Sequence, residues 1–191
     1  DQAVPVTLID RDQIERSMLT APGDVLRAFN LTPGAYVQIT SPVLGTATVR
    51  LQGLPGRYTR LFFDGVPLFF DRSGGYALLR IPSMDLAGVE VIKGPASALF
   101  GSDALGGAVN FLSRAPGAEP SREFLFNQSA LGATDAVLWL ATPAGGPSRT
   151  WSSTFLFGAH RQEETDVDDD GWSDLPGYER VVARPRVFWT N

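Results

Sequence analysis

Cysteine is absent from the 191 residues, which removes disulfides, thiolate metal sites and cysteine nucleophiles together. Histidine occurs once, as His160, so an all-protein three-histidine zinc site and paired-histidine chemistry are excluded too. No stretch approaches 18 consecutive apolar residues, so the sequence holds no transmembrane helix. Barrel strands leave no such signal and stay open. Asp1 opens without a basic n-region or an apolar h-region, so any signal peptide is expected to have been removed already. A basic patch of the kind nucleic acid requires is also missing.

What is present is globular in proportion: 43% apolar and 19% charged residues exclude wholesale disorder. Glycine (20) and proline (14) are both plentiful, which implies many turns. The net charge of −5 is local: residues 1–117 balance, whereas Glu163, Glu164, Asp166, Asp168, Asp169, Asp170 and Asp174 crowd one stretch without a base.

Residues 1–117 read as an α+β domain. Val4–Ile9 is a strand, and Asp10 caps a helix with Gln13 three residues on in capping-box spacing, with Ile14 and Met18 inward. Pro22 and Asp24 open a second short helix that buries Val25, Leu26 and Phe29. Val37–Ile39 and Thr48–Leu51 alternate as strands. Thr59–Phe63, Asp64-Gly65 and Val66–Phe69 predict a hairpin, because Asp-Gly takes the positive φ values of a type I′ turn. Val89–Ile92, a short helix around Ala96–Phe100 and Ala108–Leu112 follow, and Arg114–Pro120 reads as a linker.

Residues 118–191 carry no helical periodicity. Arg122–Leu131, Asp135–Thr142, Thr150–His160 and Glu179–Trp189 read as four strands. In the third, Trp151, Ser153, Phe155, Phe157 and Ala159 alternate with Ser152, Thr154, Leu156, Gly158 and His160. In the fourth, Val181, Ala183, Val187 and Trp189 oppose Arg180, Arg184 and Arg186. Two readings fit: an antiparallel sheet with one wet face, or membrane strands of about 9–11 residues with aromatic ends.

The runs Val49–Gly53, Asp64–Pro67, Val89–Gly101 and Ala104–Asn110, in this order and spacing, resemble the plug domain of TonB-dependent outer-membrane receptors. The resemblance covers roughly residues 3–115 and implies that residues 118–191 are the first four strands of the family's barrel. The fold it implies is an α+β plug, a short mixed sheet with small helices, followed by antiparallel strands of an incomplete outer-membrane β-barrel. In such receptors the plug fills a 22-stranded barrel. A ferric siderophore, haem, cobalamin or glycan binds from outside, and the inner-membrane TonB complex pulls on the plug. The implied location is the Gram-negative outer membrane, with lipid around the strands and the plug facing the periplasm. The family's TonB-contacting segment lies ahead of the first plug strand, where this chain starts. Four strands do not close a barrel, and an open edge in lipid costs several kcal/mol per unpaired group, so a piece of a longer chain is expected.

Residue by residue, Leu54–Tyr58, with Arg57 and Tyr58, and Phe69–Gly75, with Phe70 and Arg72, are candidate ligand contacts at the plug apices; arginine beside an aromatic suits flat or anionic ligands. Phe69 and Phe70 serve equally well as plug core. Asp166, Asp168, Asp170 and Asp174 match the opening of a D-x-D-x-D-G calcium loop, but Gly177 stands where a bidentate glutamate is needed. Ca²⁺ and a merely solvated acidic loop both fit. Arg180, Arg184 and Arg186 either solvate a sheet face or point at the plug, with Asp85, Glu90 and Asp103 as partners. His160 at a strand end is expected at the solvent rather than as a haem ligand. Lys93-Gly94-Pro95 is no phosphate loop, since the lysine precedes the glycine and proline removes an amide. No Ser/His/Asp order, paired-carboxylate motif or cofactor fingerprint is present, so an enzyme is not expected. The competing reading is a soluble plug-like binding module with a calcium-dependent loop.

Overall fold

The computed structural model describes residues 6–20, 32–41, 46–68, 81–94, 100–101, 104–143, 151–168, 170–171, 173–175 and 177–189. The chain divides into two compact units, Asp1–Ser113 and Arg114–Asn191.

Unit 1 is built on a five-stranded mixed sheet. Its strands are β1 (Val6–Ile9), β4 (Thr59–Phe63), β5 (Val66–Pro67), β6 (Leu86–Lys93) and β7 (Gly107–Ser113), in the order β1-β6-β7-β4-β5. The β1/β6 and β6/β7 pairs are antiparallel, whereas β4 and β7 run parallel. β2 (Ala35–Ser41) and β3 (Thr46–Leu51) form a separate two-stranded sheet. Helix α1 (Arg11–Thr20) follows β1 directly. Its capping box is made in both directions: Gln13 N–H donates to Asp10 Oδ1 at 2.9 Å, and Asp10 N–H to Gln13 Oε1 at 3.2 Å. Ile14 and Met18 face the core, joined by Leu51, Leu86, Val89, Val91, Val109 and Phe111. Arg11 pins the start of the helix to the 3₁₀ turn Ser83–Asp85, donating to the carbonyls of Ser83 at 3.2 Å and Leu86 at 2.9 Å.

The Asp64-Gly65 turn has φ of 50° and 77°, the two positive values its type requires. It does more than reverse the chain. Asp64 N–H donates to Phe111 O at 2.8 Å, Asp64 Oδ1 accepts from Ser113 N–H at 2.7 Å, and Asn110 Oδ1 accepts from Gly65 N–H at 2.9 Å. The hairpin is thereby bolted to the end of β7. The expected second helix at Pro22–Phe29 and most of the short helix at Ala96–Phe100 lie outside the described residues.

Unit 2 is a four-stranded antiparallel meander of β8 (Ser121–Gln128), β9 (Ala133–Thr142), β10 (Trp151–Gln162) and β11 (Tyr178–Trp189). β8 stops three residues short of the expected Leu131. Ser129 N–H donates to Ala133 O, and Gly132, at φ 78°, donates to Ser129 O, so residues 129–132 form the turn instead.

Candidate functional site

The strand register of unit 2 sorts its side chains into two unlike faces. On one face the rows across β8-β9-β10-β11 read Phe126-Ala136-Ala159-Val181, Phe124-Leu138-Phe157-Ala183 and Arg122-Leu140-Phe155-Pro185. Beyond them Thr142-Ser153-Val187 and the pair Trp151-Trp189 complete one end, and Gln128-Thr134-Arg161-Glu179 closes the other with polar groups. This apolar face is the exposed one: Phe124 and Val181 are each 69% exposed and Trp189 62%. From Trp151 to Arg161 is one strand passage of the length a tilted membrane strand needs, about 9–11 residues.

The opposite face is mixed and more buried: Trp139, Ala141 and Leu156 are buried on it beside polar and charged side chains. Asn127, Asp135, His160 and Arg180 stand in one row. Asp135 is 5% exposed; its carboxylate accepts from Asn127 Nδ2 at 3.0 Å and from His160 Nδ1. His160 is therefore not at the solvent as its strand-end position suggested. The alternation of β10 puts the imidazole on the Leu156 face, where Asp135 lies directly opposite in register and the Tyr178 ring packs 4.9 Å from it. Arg184 aligns with Leu156, and Arg186 with Thr154, on the same face. Of the acids considered as their partners, Glu90 accepts from Asn110 Nδ2 at 2.9 Å within unit 1, Asp85 is buried, and Asp103 lies outside the described residues.

A water-soluble sheet buries its apolar face and wets its polar one. Here one face is partly apolar and buried, while the other exposes Phe124, Phe126, Val181, Val187 and Trp189 in adjoining rows, an apolar surface of the kind that marks an interaction with an apolar environment.

The loop between β10 and β11 is pinched by the Thr165–Leu175 bridge. Carboxylate oxygens of Asp166, Asp168 and Asp174 all lie within 4.8 Å of one another, and Asp170 is not among them. Gly171 N–H donates to Asp166 Oδ2 at 2.9 Å and Val167 N–H to Asp174 Oδ2 at 3.0 Å, which hold two of the three carboxylates in place.

In unit 1 the Arg57 guanidinium lies 4.9 Å from the centre of the Tyr58 ring, on the 3₁₀ turn Gly56–Tyr58. Tyr58 O accepts from Gly106 N–H at 2.9 Å, so this turn is tied to the glycine pair that opens β7. Arg57 is exposed. Phe70 and Arg72, the other expected ligand contacts, lie outside the described residues.

Three residues that sequence reasoning passed over prove central to unit 2: Asp135, Trp139 and Arg114. The signal was an acid four residues before a tryptophan on an otherwise apolar strand, which puts both on one face.

A family model described as TonB-dependent Receptor Plug Domain matches residues 1–108. A curated vitamin B12 transporter BtuB of Photobacterium profundum is 29% identical over 180 residues, covering 89% of this chain and 28% of that protein. A ferrioxamine receptor of Yersinia enterocolitica is 33% identical over 115 residues, 60% of this chain and 16% of the receptor. Among solved structures, the ferric yersiniabactin uptake receptor FyuA of Yersinia pestis superposes with a TM-score of 0.72 at 20% identity, over 96% of this chain and 28% of that one. The chain thus spans between about a sixth and about two-sevenths of the length of these relatives.

Proposed function

The chain belongs to the TonB-dependent receptor plug-domain family, and from that premise we propose that it supplies the plug and first four barrel strands of an outer-membrane uptake receptor. The reading rests on one observation above all: a plug-family unit is followed by a four-stranded antiparallel meander that exposes one apolar face with tryptophans at its rim. A transport role rather than an enzymatic one accords with the relatives, which are transport receptors.

The cargo class is a scarce chelate, a ferric siderophore or a cobalamin, by analogy with the ferrioxamine receptor and the vitamin B12 transporter. Arg57 over Tyr58 offers such a ligand a cation beside an aromatic face; Arg72 and Phe70 are assigned the same role from sequence. Unit 1 serves as the moving plug, drawn by TonB from the periplasmic side. The Asp166, Asp168 and Asp174 carboxylates are the residues that would hold Ca²⁺ in the outer loop, as hard oxygen donors at alternate positions do.

Fractionation of cells expressing the full-length protein tests this reading. It should sediment with outer membranes, need detergent for extraction and support ligand uptake only when TonB is intact. A protein that purifies from the soluble fraction without detergent would refute it.

A further inference from the structure

Two covalently adjacent residues are committed to different units. Ser113, the last residue of β7, donates its N–H to Asp64 Oδ1 at 2.7 Å within unit 1. Arg114 is the first residue of unit 2. Its Nη1 donates to Glu123 Oε2 at 2.8 Å and its Nη2 to Glu123 Oε1, a bidentate fork. The same guanidinium lies 3.6 Å from the centre of the Trp139 ring. Glu123 and Trp139 are directly opposed on β8 and β9, so one arginine grips both strands at one register position. Trp139 is 2% exposed, the Arg114 side chain 18% and the Glu123 side chain 34%, so the stack is shielded from water and the fork is part-buried. Lysine would supply the charge but neither the fork nor the planar stack.

Behind this grip lies slack. Residues 115–120 belong to no strand, and five of the six are exposed. A pull along the chain from unit 1 would otherwise straighten them and then load Ser121, the first paired residue of β8.

We propose that Arg114 is a mechanical stop. It ends the segment that can be drawn with unit 1 and keeps residues 115–120 and strand β8 free of load. The proposal rests on the receptor reading, in which unit 1 is pulled while unit 2 stays in the membrane.

Force spectroscopy on the full-length receptor in a bilayer, pulled by a handle at its amino-terminal end, tests the stop. The wild type should arrest when unit 1 is extended through Ser113. Arg114→Gln should lengthen the arrested extension by up to about 25 Å, the contour of residues 114–120 at about 3.5 Å each less the distance they already span. Glu123→Gln should release the same length, and it serves alone should Arg114→Gln fail to assemble. Arrest at one length in wild type and variants overturns the stop and leaves the receptor reading intact. A wild-type trace that runs through unit 2 without arrest overturns both.

Discussion

The indole rings of Trp151 and Trp189 lie 5.8 Å apart with their planes 17° from parallel, at the opposed positions where β10 and β11 meet. They stand at the rim of the exposed apolar face, both more than half exposed. Tryptophans placed there suit a membrane interface, where an apolar ring with one polar N–H is best solvated.

That placement predicts a position-dependent cost for charge. Phe157→Arg, in the middle of the apolar rows, should destabilise the membrane-inserted protein by about 2–4 kcal/mol. Glu179→Gln, in the polar row beyond them, should change stability by no more than about 0.5 kcal/mol. Urea titrations of the receptor in lipid compare the two, and similar losses would contradict a lipid-facing band.

Unit 1 carries its own apolar core, from Ile14 through Phe111, and residues 1–115 should fold alone in water. A random-coil circular dichroism spectrum of that piece would count against it. Within it, Asp10→Ala removes one arm of the capping box and should cost about 1 kcal/mol in a denaturant melt.

Gly107 sits at φ 130°, and a Cβ there would lie 2.0 Å from Ile92 O, a backbone atom of the paired strand β6. Gly107→Ala should therefore open the β6/β7 ladder and cost about 3 kcal/mol or more. Gly53, at φ 79° with open space around it, is the control: alanine there should cost only the left-handed backbone term, about 1–2 kcal/mol. Equal melting temperatures for the two variants would show that the close approach does not matter.

Three carboxylates held within 4.8 Å of one another repel unless a cation joins them. Millimolar Ca²⁺ should raise the melting temperature of the receptor, and Asp168→Asn should shrink the rise. A thermal scan with and without the ion decides it; no shift in the wild type would leave the loop simply solvated.

Several features of both units were legible locally. The capping box at Asp10 and Gln13, the Asp64-Gly65 turn and the alternation in β10 each depend on residues a few positions apart, and each formed as its spacing implied. The parallel pairing of β4 with β7 was not legible, nor was β1 docking on β6, whose paired residues stand 80 to 86 positions away. No short-range pattern encodes which distant strands meet. Candidate-site residues fared similarly: Arg57 and Tyr58 adjoin as neighbours in sequence should, whereas Asp135 and His160 met only through strand register.

Residue order by itself determined the family likeness and the existence of two unlike faces on the last two strands. Only the tertiary structure decided that the apolar face is the exposed one, that Asp135 is the partner of His160, and that Arg114 grips Glu123 and Trp139. The reason is physical: alternation separates two faces of a strand, but register and the surrounding chain settle which face is covered and which side chains come opposite.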